Sequence, residues 1–290
     1  MRHELNLWVA GGDMRQGKLA ELLAGDGHTV HAFALEQLGS LSGVQGEDSL
    51  AGIALADCVI LPLPAAGEGL MLNAPLARRQ HPLAEVLDAL RPGQVICAGM
   101  VGAATAELAA SRGLTLHDYF AREELAVANA VPTAEGAVQL AMEHLPITIH
   151  GSKVLVIGFG RVGRLTAQRF QALGARVSVA ARKYEQLAWA QAMGFGGEHL
   201  AHLKGWLCGY DLIVNTVPTQ VLGREELEDL NPSCLVLDLA SKPGGVDLGA
   251  AGELGLTVVW ALALPGKVAP VTAGAAIRDT IYNMLREIGM

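Results

Sequence analysis

The stretch VLVIGFGRVGRLTAQRFQAL, residues 154–173, decides the fold of the second half of the chain. Its first part, Val154 to Gly158, is a short β-branched run of the kind that is buried on both faces of a parallel sheet. The run leads into a Gly-x-Gly-x-x-Gly turn at 158–163, after which apolar residues recur at helical spacing. A strand, a glycine-rich turn and a helix in this order are typical of a dinucleotide-binding βαβ unit.

Each glycine of this turn has a physical task. Gly158 permits the tight turn, Gly160 lets the backbone approach a pyrophosphate, and Gly163 lets helix and strand pack closely. The following helix would face the phosphates with its N–H groups and its positive dipole end. The alternative is a glycine-rich turn without a ligand. The predicted phosphate-binding residues are Gly158, Phe159, Gly160, Arg161, Val162 and Gly163.

The next predicted strand, Val177 to Ala180, leads to a basic end formed by Arg182 and Lys183. Dinucleotide-binding domains ordinarily place an acidic residue there, which accepts hydrogen bonds from the ribose 2′-hydroxyl. Two cations at this position favour a 2′-phosphate, so the sequence predicts NADP, with NAD as the weaker choice. The alternative is a strand end with two ordinary surface cations.

Two further strands are expected in this half, over residues 211–218 and 235–241. Parallel strands end at one edge of a sheet, so the residues that follow them should line the same crevice. The residues expected beside the cofactor are Asn215, Thr216, Val217 and Pro218, and those expected to face the substrate are Ser241 and Lys242. The alternative for residues 241–245 is a simple turn.

The first 125 residues alternate strand and helix in their own right. Strands are predicted at 5–12, 29–35, 57–64, 93–99 and 114–120, and helices at 18–25, 83–90 and 105–113. The first turn, residues 11–16, lacks the three-glycine pattern, which favours a substrate domain over a second dinucleotide site. The predicted fold is therefore α/β, with two doubly wound domains, the second of them a Rossmann dinucleotide-binding domain.

Two helices are predicted to cross between the domains. One covers roughly residues 133–144 and would begin at Thr133, after Pro132, and the other lies within 267–290. The predicted domains are residues 1–130, with part of the helix at 270–290, and residues 131–290 including the first crossing helix. Such a chain would form a clamp around a cleft, whereas the alternative is one continuous domain.

Composition excludes several classes of protein. A formal net charge of −8 without a long basic run argues against a nucleic-acid partner. No segment has the uninterrupted apolar length of a membrane span or the apolar core of a signal peptide.

The four cysteines show no C-x-x-C spacing, and Cys58, Cys97 and Cys234 fall in apolar strands, which fits reduced thiols in the cytoplasm. His199 and His202 could share a helix face but lack further ligands, so no metal is expected.

Longer motifs carry a resemblance over essentially the whole chain. They are GGDMRQ (11–16), NAVPTAEGA (129–137), VIGFGRVG (156–163), VAARK (179–183), NTVP (215–218), LDLASKPGGVD (237–247) and LPGKVAPVTAG (264–274). Together they resemble the A subunits of dipicolinate synthase. The resemblance implies an oxidoreductase that converts a dihydro- or hydroxytetrahydrodipicolinate precursor to dipicolinate, pyridine-2,6-dicarboxylate, with a nicotinamide cofactor. It also implies sporulation, the mother-cell cytoplasm and a partner in the flavoprotein-like B subunit of dipicolinate synthase, and a homo-oligomer stays open.

A dicarboxylate substrate needs cations or N–H donors on both sides. The candidate substrate-binding residues are Arg15, Asn129, Thr133, Glu135, Ser241, Lys242 and Lys267. Lys242 and Glu135 are also candidates for catalysis, although no acid or base stands out, and an aromatising oxidation asks little of side chains beyond positioning. The alternative is that the two lysines only cap loops and that Arg15 is a surface charge paired with Asp13.

Competing functions can be compared with the residues present. D-2-hydroxyacid dehydrogenases need a late histidine, and none follows His202. Shikimate dehydrogenases use a lysine of the substrate domain, but Lys18 is the only lysine before Lys153 and belongs to the first helix. A non-catalytic NADP-binding regulatory or scaffold chain, and a dehydrogenase of another small carboxylic acid, stay open.

Overall fold

The computed structural model describes residues 4–290 and divides into two compact units. The first unit comprises the residues through Asn129 together with Ala269–Met290, and the second comprises Ala130–Val268. The whole C-terminal segment therefore belongs with the first unit, and the chain enters and leaves the second unit once each.

Strands and helices alternate along most of the chain. The strands are β1 (Asn6–Ala10), β2 (Thr29–Phe33), β3 (Gln45–Glu47), β4 (Cys58–Ile60), β5 (Val95–Ala98), β6 (Leu116–Asp118), β7 (Lys153–Ile157), β8 (Arg176–Ala181), β9 (Gly196–His199), β10 (Leu212–Asn215), β11 (Leu235–Asp238) and β12 (Thr257–Trp260). The helices are α1 (Met14–Gly25), α2 (Leu83–Asp88), α3 (Ala103–Ala110), α4 (Glu123–His144), α5 (Arg161–Ala172), α6 (Tyr184–Ala192), α7 (Arg224–Glu228), α8 (Leu248–Glu253), α9 (Leu264–Val268) and α10 (Pro270–Glu287).

Each unit contains a parallel six-stranded sheet, and the two sheets have the same topology. The order is β3-β2-β1-β4-β5-β6 in the first unit and β12-β11-β10-β7-β8-β9 in the second. If the strands of each unit are numbered from that unit's own first strand, both sheets have the Rossmann order 3-2-1-4-5-6. In this order the chain adds its first three strands toward one edge of the sheet and the next three toward the other, so the order reverses between the first and fourth strands. The prediction of two doubly wound α/β domains is confirmed. The crevices of such sheets lie at the carboxyl ends of the strands on either side of this reversal.

Strand β7 shows why the run in the sequence is apolar throughout. Val154 and Val156 face a cluster that includes residues of α4 and α5, whereas Leu155 and Ile157 face a cluster that includes residues of α7 and α8. All four side chains are fully buried. A strand with helices over both faces has no polar side, which is the reason for the continuous run.

In the first unit, α10 covers the same face of the sheet as α1. Leu19 and Leu23 of α1 share a core cluster with Ile277 and Ile281 of α10. A Cβ atom on Gly274 would lie only 3.0 Å from the main-chain nitrogen of Leu19, so the two helices approach closely at this point. Burying each of these aliphatic side chains contributes about 1.5–3 kcal/mol, which makes α10 a major part of this core.

Helix α4 begins at Glu123, so the prediction that a helix begins at Thr133 is wrong. Pro132 lies inside the helix, where it removes one main-chain hydrogen bond at a cost of about 3 kcal/mol. Burial on both sides of the proline offsets this cost, because Leu125 belongs to the core of the first unit and Ala137 to that of the second. Tertiary packing here outweighs the local preference of proline for the first helical turn.

His199 and His202 do not share a helix face, which corrects the prediction from the sequence. His199 ends the edge strand β9, and His202 ends a short 3-10 turn that follows it. Strands β3 and β9 were both missed, because each is short, lies at a sheet edge and lacks an apolar run.

Neither a metal cluster nor a membrane span occurs within residues 4–290. No group of three or more His, Cys, Asp or Glu side chains is arranged to hold a metal ion there. No helix in that range combines the length and the apolar character needed to cross a membrane. As expected, Cys58, Cys97 and Cys234 are buried free thiols, whereas Cys208 is an exposed one.

Candidate functional site

The glycine-rich turn joins β7 to α5 at the point where the strand order of the second sheet reverses. Gly158 has a φ of +94°, and its N–H donates to the carbonyl oxygen of Ala180 over 2.8 Å. A Cβ atom on Gly158 would collide with the Thr216 hydroxyl, and one on Gly163 would collide with the carbonyl oxygen of Gly158. Packing within the protein therefore requires glycine at both positions.

Gly160 differs from these two because the space beside it is open. A Cβ atom there would meet no heavy atom within 4 Å, apart from its chain neighbours. Gly160 is the N-cap of α5, and the first turn of the helix carries no acidic residue. The first hydrogen bond of the helix runs from Arg164 N to Gly160 O over 3.0 Å, so earlier N–H groups point beyond the helix end. This open, electropositive position fits a phosphate of a dinucleotide.

The residues between the glycines have different surroundings. Phe159 is buried and lies 6.0 Å from the Phe195 ring, so only its main chain faces the turn. The Arg164 guanidinium lies 5.4 Å from the centre of the Phe159 ring and supports the turn from the helix side. Arg161 is exposed and Val162 is half-buried.

The turn after β10 lies against the glycine turn. Asn215 is fully buried, and its Nδ2 donates to Val217 O over 3.0 Å and to the Asp238 carboxylate over 2.8 Å. The Thr216 hydroxyl donates over 2.9 Å to the carbonyl oxygen that ends β7. Asn215 and Thr216 therefore use their side chains to fix the turn. Val217 is half-buried and Pro218 is exposed, which leaves their surfaces available to a ligand.

Asp238 organises this edge of the sheet, and the prediction from the sequence missed it. Its carboxylate is 1% exposed and, besides Asn215, accepts hydrogen bonds from Ala240 N over 3.1 Å and from Gly245 N over 2.8 Å. The carboxylate thus ties the loop after β11 to the turn after β10. An acidic residue at the end of an apolar strand and shortly before Gly-Gly was the available signal.

The structure places the lysine candidates of the second unit on its surface. Ser241 and Lys242 are exposed in the loop that Asp238 fixes, and Lys267 is exposed in α9. Within residues 4–290, neither ammonium group has a carboxylate partner. Both charges are therefore available to an anionic ligand, and the loop of Lys242 lies beside the turn after β10.

The basic strand end adjoins the glycine turn, because β8 is the neighbour of β7 in the sheet. Arg182 and Lys183 directly follow β8, and both are exposed. The Lys183 ammonium lies 3.6 Å from the carboxylate of Glu185, which is itself exposed. Arg182 forms no ion pair within the described part of the chain. Its positive charge is therefore not neutralised by a neighbouring carboxylate.

In the first unit, the protein's own carboxylate occupies the equivalent helix terminus. Asp13 caps α1 by accepting a hydrogen bond from Arg15 N over 2.9 Å, and it also pairs with the Arg15 guanidinium over 2.8 Å. Arg15 is only 8% exposed and donates to Leu63 O over 2.9 Å as well. The pairing of Arg15 with Asp13 is therefore present, but Arg15 is not the surface charge that this alternative assumed. An anion already stabilises this helix end, unlike that of α5.

The three candidates on α4 do not face one way. Asn129 and Thr133 are half-buried and one turn apart, so they share a face of the helix. Glu135 is two residues further along, which places it about 200° around the axis. Its carboxylate lies 3.7 Å from the Arg169 guanidinium of α5. Asn129 and Thr133 therefore share a face of α4 from which Glu135 points away, and the part of these residues in substrate binding stays a prediction.

Family models match both halves of the chain. Residues 6–120 match the N-terminal domain of the dipicolinate synthase A subunit. Residues 104–240 match the NAD binding domain of the D-isomer specific 2-hydroxyacid dehydrogenases, and this range includes the glycine turn and the basic strand end. The chain therefore carries a nicotinamide-dinucleotide-binding domain of the dehydrogenase type, which supports an oxidoreductase role.

Relatives match the chain over almost its full length. The A subunit of dipicolinate synthase from Bacillus subtilis is 35% identical and is aligned over 98% of this chain and 97% of its own. Its crystal structure matches 99% of this chain and 98% of its own with a TM-score of 0.88. The crystal structure of the corresponding protein from Bacillus halodurans is 30% identical, with a TM-score of 0.89 and 97% of each chain covered.

A more distant solved structure shares only the fold. It is the transhydrogenase from Sinorhizobium meliloti, at 18% identity and a TM-score of 0.73 over 98% of this chain and 94% of its own. The match to the Bacillus subtilis protein is of a different order, because it combines 35% identity with coverage of nearly all of both chains. Together with the two family models and the two solved relatives, it shows that this chain belongs to the family of dipicolinate synthase A subunits.

Proposed function

We propose that this chain is an NADP-dependent oxidoreductase that forms dipicolinate. The main evidence for the cofactor is the open N-cap of α5 at Gly160. The neighbouring strand ends at Arg182, whose guanidinium is exposed and has no carboxylate partner in the described residues. The helix end supplies N–H donors for the pyrophosphate, and the strand end supplies a cation for a 2′-phosphate. The residues proposed to hold the cofactor are residues 158–163, Arg182, Lys183 and residues 215–218.

The preference for NADP follows from charge at the strand end. An acidic residue would repel a 2′-phosphate, whereas Arg182 and Lys183 attract one and cannot accept a hydrogen bond from a free 2′-hydroxyl. A guanidinium can also bind phosphate in a bidentate manner, which strengthens the contact.

The proposed reaction removes a hydride and a proton from a dihydropyridine dicarboxylate, or from a hydroxylated tetrahydro precursor that loses water. A bound nicotinamide would supply the hydride acceptor, and the proton would go to water or to a base. Aromatisation of the ring supplies the driving force, so the protein has mainly to orient the substrate. We assign the carboxylates of the substrate to Lys242, Lys267, Ser241 and the Asn129–Thr133 face. Lys242 is the candidate for proton transfer, because the Glu135 carboxylate points away from that face and lies beside Arg169. Arg15 stays a prediction from the sequence alone, because it belongs to the first unit and its charge already pairs with Asp13.

The relatives are each the A subunit of a synthase, which supports a second, different chain as partner. We propose that the flavoprotein-like B subunit of dipicolinate synthase assembles with this chain and that the complex acts in the mother-cell cytoplasm during sporulation. If the B subunit carries out part of the reaction, dipicolinate forms only in the complex. The assay therefore tests this chain alone and together with the B subunit.

The decisive experiment incubates the purified chain with NADP⁺ and the dihydrodipicolinate-pathway precursor, with and without the B subunit. We expect dipicolinate to appear by its ultraviolet absorption, together with NADPH by its own absorption at longer wavelength. NAD⁺ at the same concentration provides the comparison for specificity. Tight NADPH binding without dipicolinate in either form would contradict the enzyme proposal and indicate a regulatory nucleotide-binding chain.

A further inference from the structure

A side-chain contact behind the basic strand end links it to the edge strand β9. His199 is the last residue of β9 and lies opposite Ala181, the last residue of β8. Its Nε2 is 3.0 Å from the carbonyl oxygen of Arg182. Its Nδ1 accepts a hydrogen bond from Ala201 N over 3.3 Å. One imidazole therefore bridges the peptide that carries Arg182 and the turn that follows β9.

These two contacts define the tautomer of His199. A main-chain N–H can only donate, so Nδ1 must be the unprotonated nitrogen, and a carbonyl oxygen can only accept, so Nε2 must carry the hydrogen. The neutral Nε2–H form satisfies both groups at once. The ring thus forms a hydrogen-bonded bridge between two main-chain atoms.

Two neighbouring rings limit the movement of the His199 side chain. The Tyr184 ring stacks on His199 with centroids 5.0 Å apart and an interplanar angle of 27°. The His202 ring lies 5.3 Å away at a tilt of 46°. Tyr184 begins α6 directly after Lys183, the N-cap of that helix, so the stacking also holds the residue that follows the two cations.

We infer that His199 is a positioning residue for cofactor specificity: it fixes the Arg182 peptide so that the guanidinium is oriented for a 2′-phosphate. The inference rests on the proposed NADP-binding role of Arg182. Arg182 is exposed and has no ion pair within the described residues to orient its side chain, so the direction of its main chain is the main local constraint on it. Loss of the hydrogen bond from His199 to the Arg182 carbonyl should weaken the binding only of a cofactor that carries the 2′-phosphate.

Two substitutions separate the two hydrogen bonds of His199. His199→Gln extends an amide Nε2 far enough to donate to the Arg182 carbonyl, whereas His199→Asn can retain only the acceptor for Ala201 N. We expect His199→Asn to raise the Kd for NADPH about three- to tenfold, the effect of one lost hydrogen bond. Its Kd for NADH should stay within about twofold, and His199→Gln should keep most of the NADPH affinity. His202→Asn is the matched control, because His202 contacts the same ring but not Arg182.

The measurements are fluorescence titrations of each variant with NADPH and with NADH, and melting curves to verify folding. In the Arg182→Ala background, His199→Asn should have little further effect on NADPH, since the two residues act through one contact. Equal losses for Asn and Gln, equal losses for both cofactors, or additive losses with Arg182→Ala would overturn the inference. If Arg182→Ala itself leaves NADPH binding unchanged, the proposed NADP specificity is wrong and the inference falls with it. If Arg182→Ala weakens NADPH but His199→Asn does not, the inference alone is wrong.

Discussion

Gly160 and Gly163 belong to one motif, yet the structure predicts opposite consequences for replacing them. A Cβ atom on Gly163 would collide with the main chain of Gly158, which cannot move without shifting β7 against α5. Overpacking of this kind costs about 1–3 kcal/mol, and the gain in helix propensity returns at most about 1 kcal/mol. Because the clash is with main chain, the upper end of this cost applies, and we expect Gly163→Ala to lower the free energy of unfolding by about 2 kcal/mol. At about 2–4 °C per kcal/mol, the melting temperature should fall by roughly 4–8 °C.

Gly160→Ala places the same methyl group in open space beside the helix end. Its cost to stability is that of a poorer N-cap residue, about 0.5 kcal/mol, or roughly 1–2 °C. The methyl group occupies the position proposed for the pyrophosphate, so NADPH and NADH should both bind on the order of ten times more weakly. Melting of the nucleotide-free protein by circular dichroism and titration of both variants measure the two effects. A Gly160→Ala protein that is as unstable as Gly163→Ala, or that binds nucleotide normally, would refute the assignment of the two glycines.

Three further predictions follow from side chains near the site and in the core. Arg182→Ala should weaken the binding of NADPH on the order of ten- to a hundredfold, because a hydrogen bond to a charged group contributes about 1.5–3 kcal/mol. The affinity for NADH, measured by the same titration, should stay unchanged. Asp238→Ala leaves three N–H donors without their acceptor, and urea unfolding should show a loss of about 3 kcal/mol, whereas a loss below about 1 kcal/mol would mean that water replaces the carboxylate. Burial raises the pKa of the Cys234 thiol to about 12, so at neutral pH a thiol reagent should modify the exposed Cys208 rapidly and Cys234 only after unfolding; a fast reaction that persists in Cys208→Ser would contradict this.

The sequence predicted those parts of the site whose contacts are local. The apolar run of β7, the three glycines and the basic end of β8 lie close together in the chain, and each has a residue preference of its own. The structure confirms the order of strand, turn and helix, and the identity of the cofactor at Arg182 remains a prediction. Local physical rules carry this information because the βαβ unit is itself local.

The sequence did not predict the residues that act across the sheet. Asp238 reaches Asn215 on the neighbouring strand, and His199 reaches Arg182 from an edge strand that has no apolar pattern. Such contacts depend on strand order and register, which one sequence does not display. The helix around Pro132 was mispredicted for the same reason, since the burial that tolerates the proline comes from residues far along the chain.

The packing of α10 against α1 has a consequence for synthesis of the protein on the ribosome. The second unit is continuous in the chain and is complete once Val268 has emerged, whereas the first unit lacks α10 until Pro270–Glu287 has also emerged. Until then, Leu19 and Leu23 have no partner for the face that α10 covers. The half of the chain that is translated first is therefore the half that finishes folding last, and a stop codon before residue 270 would leave that apolar face open to aggregation or to chaperones.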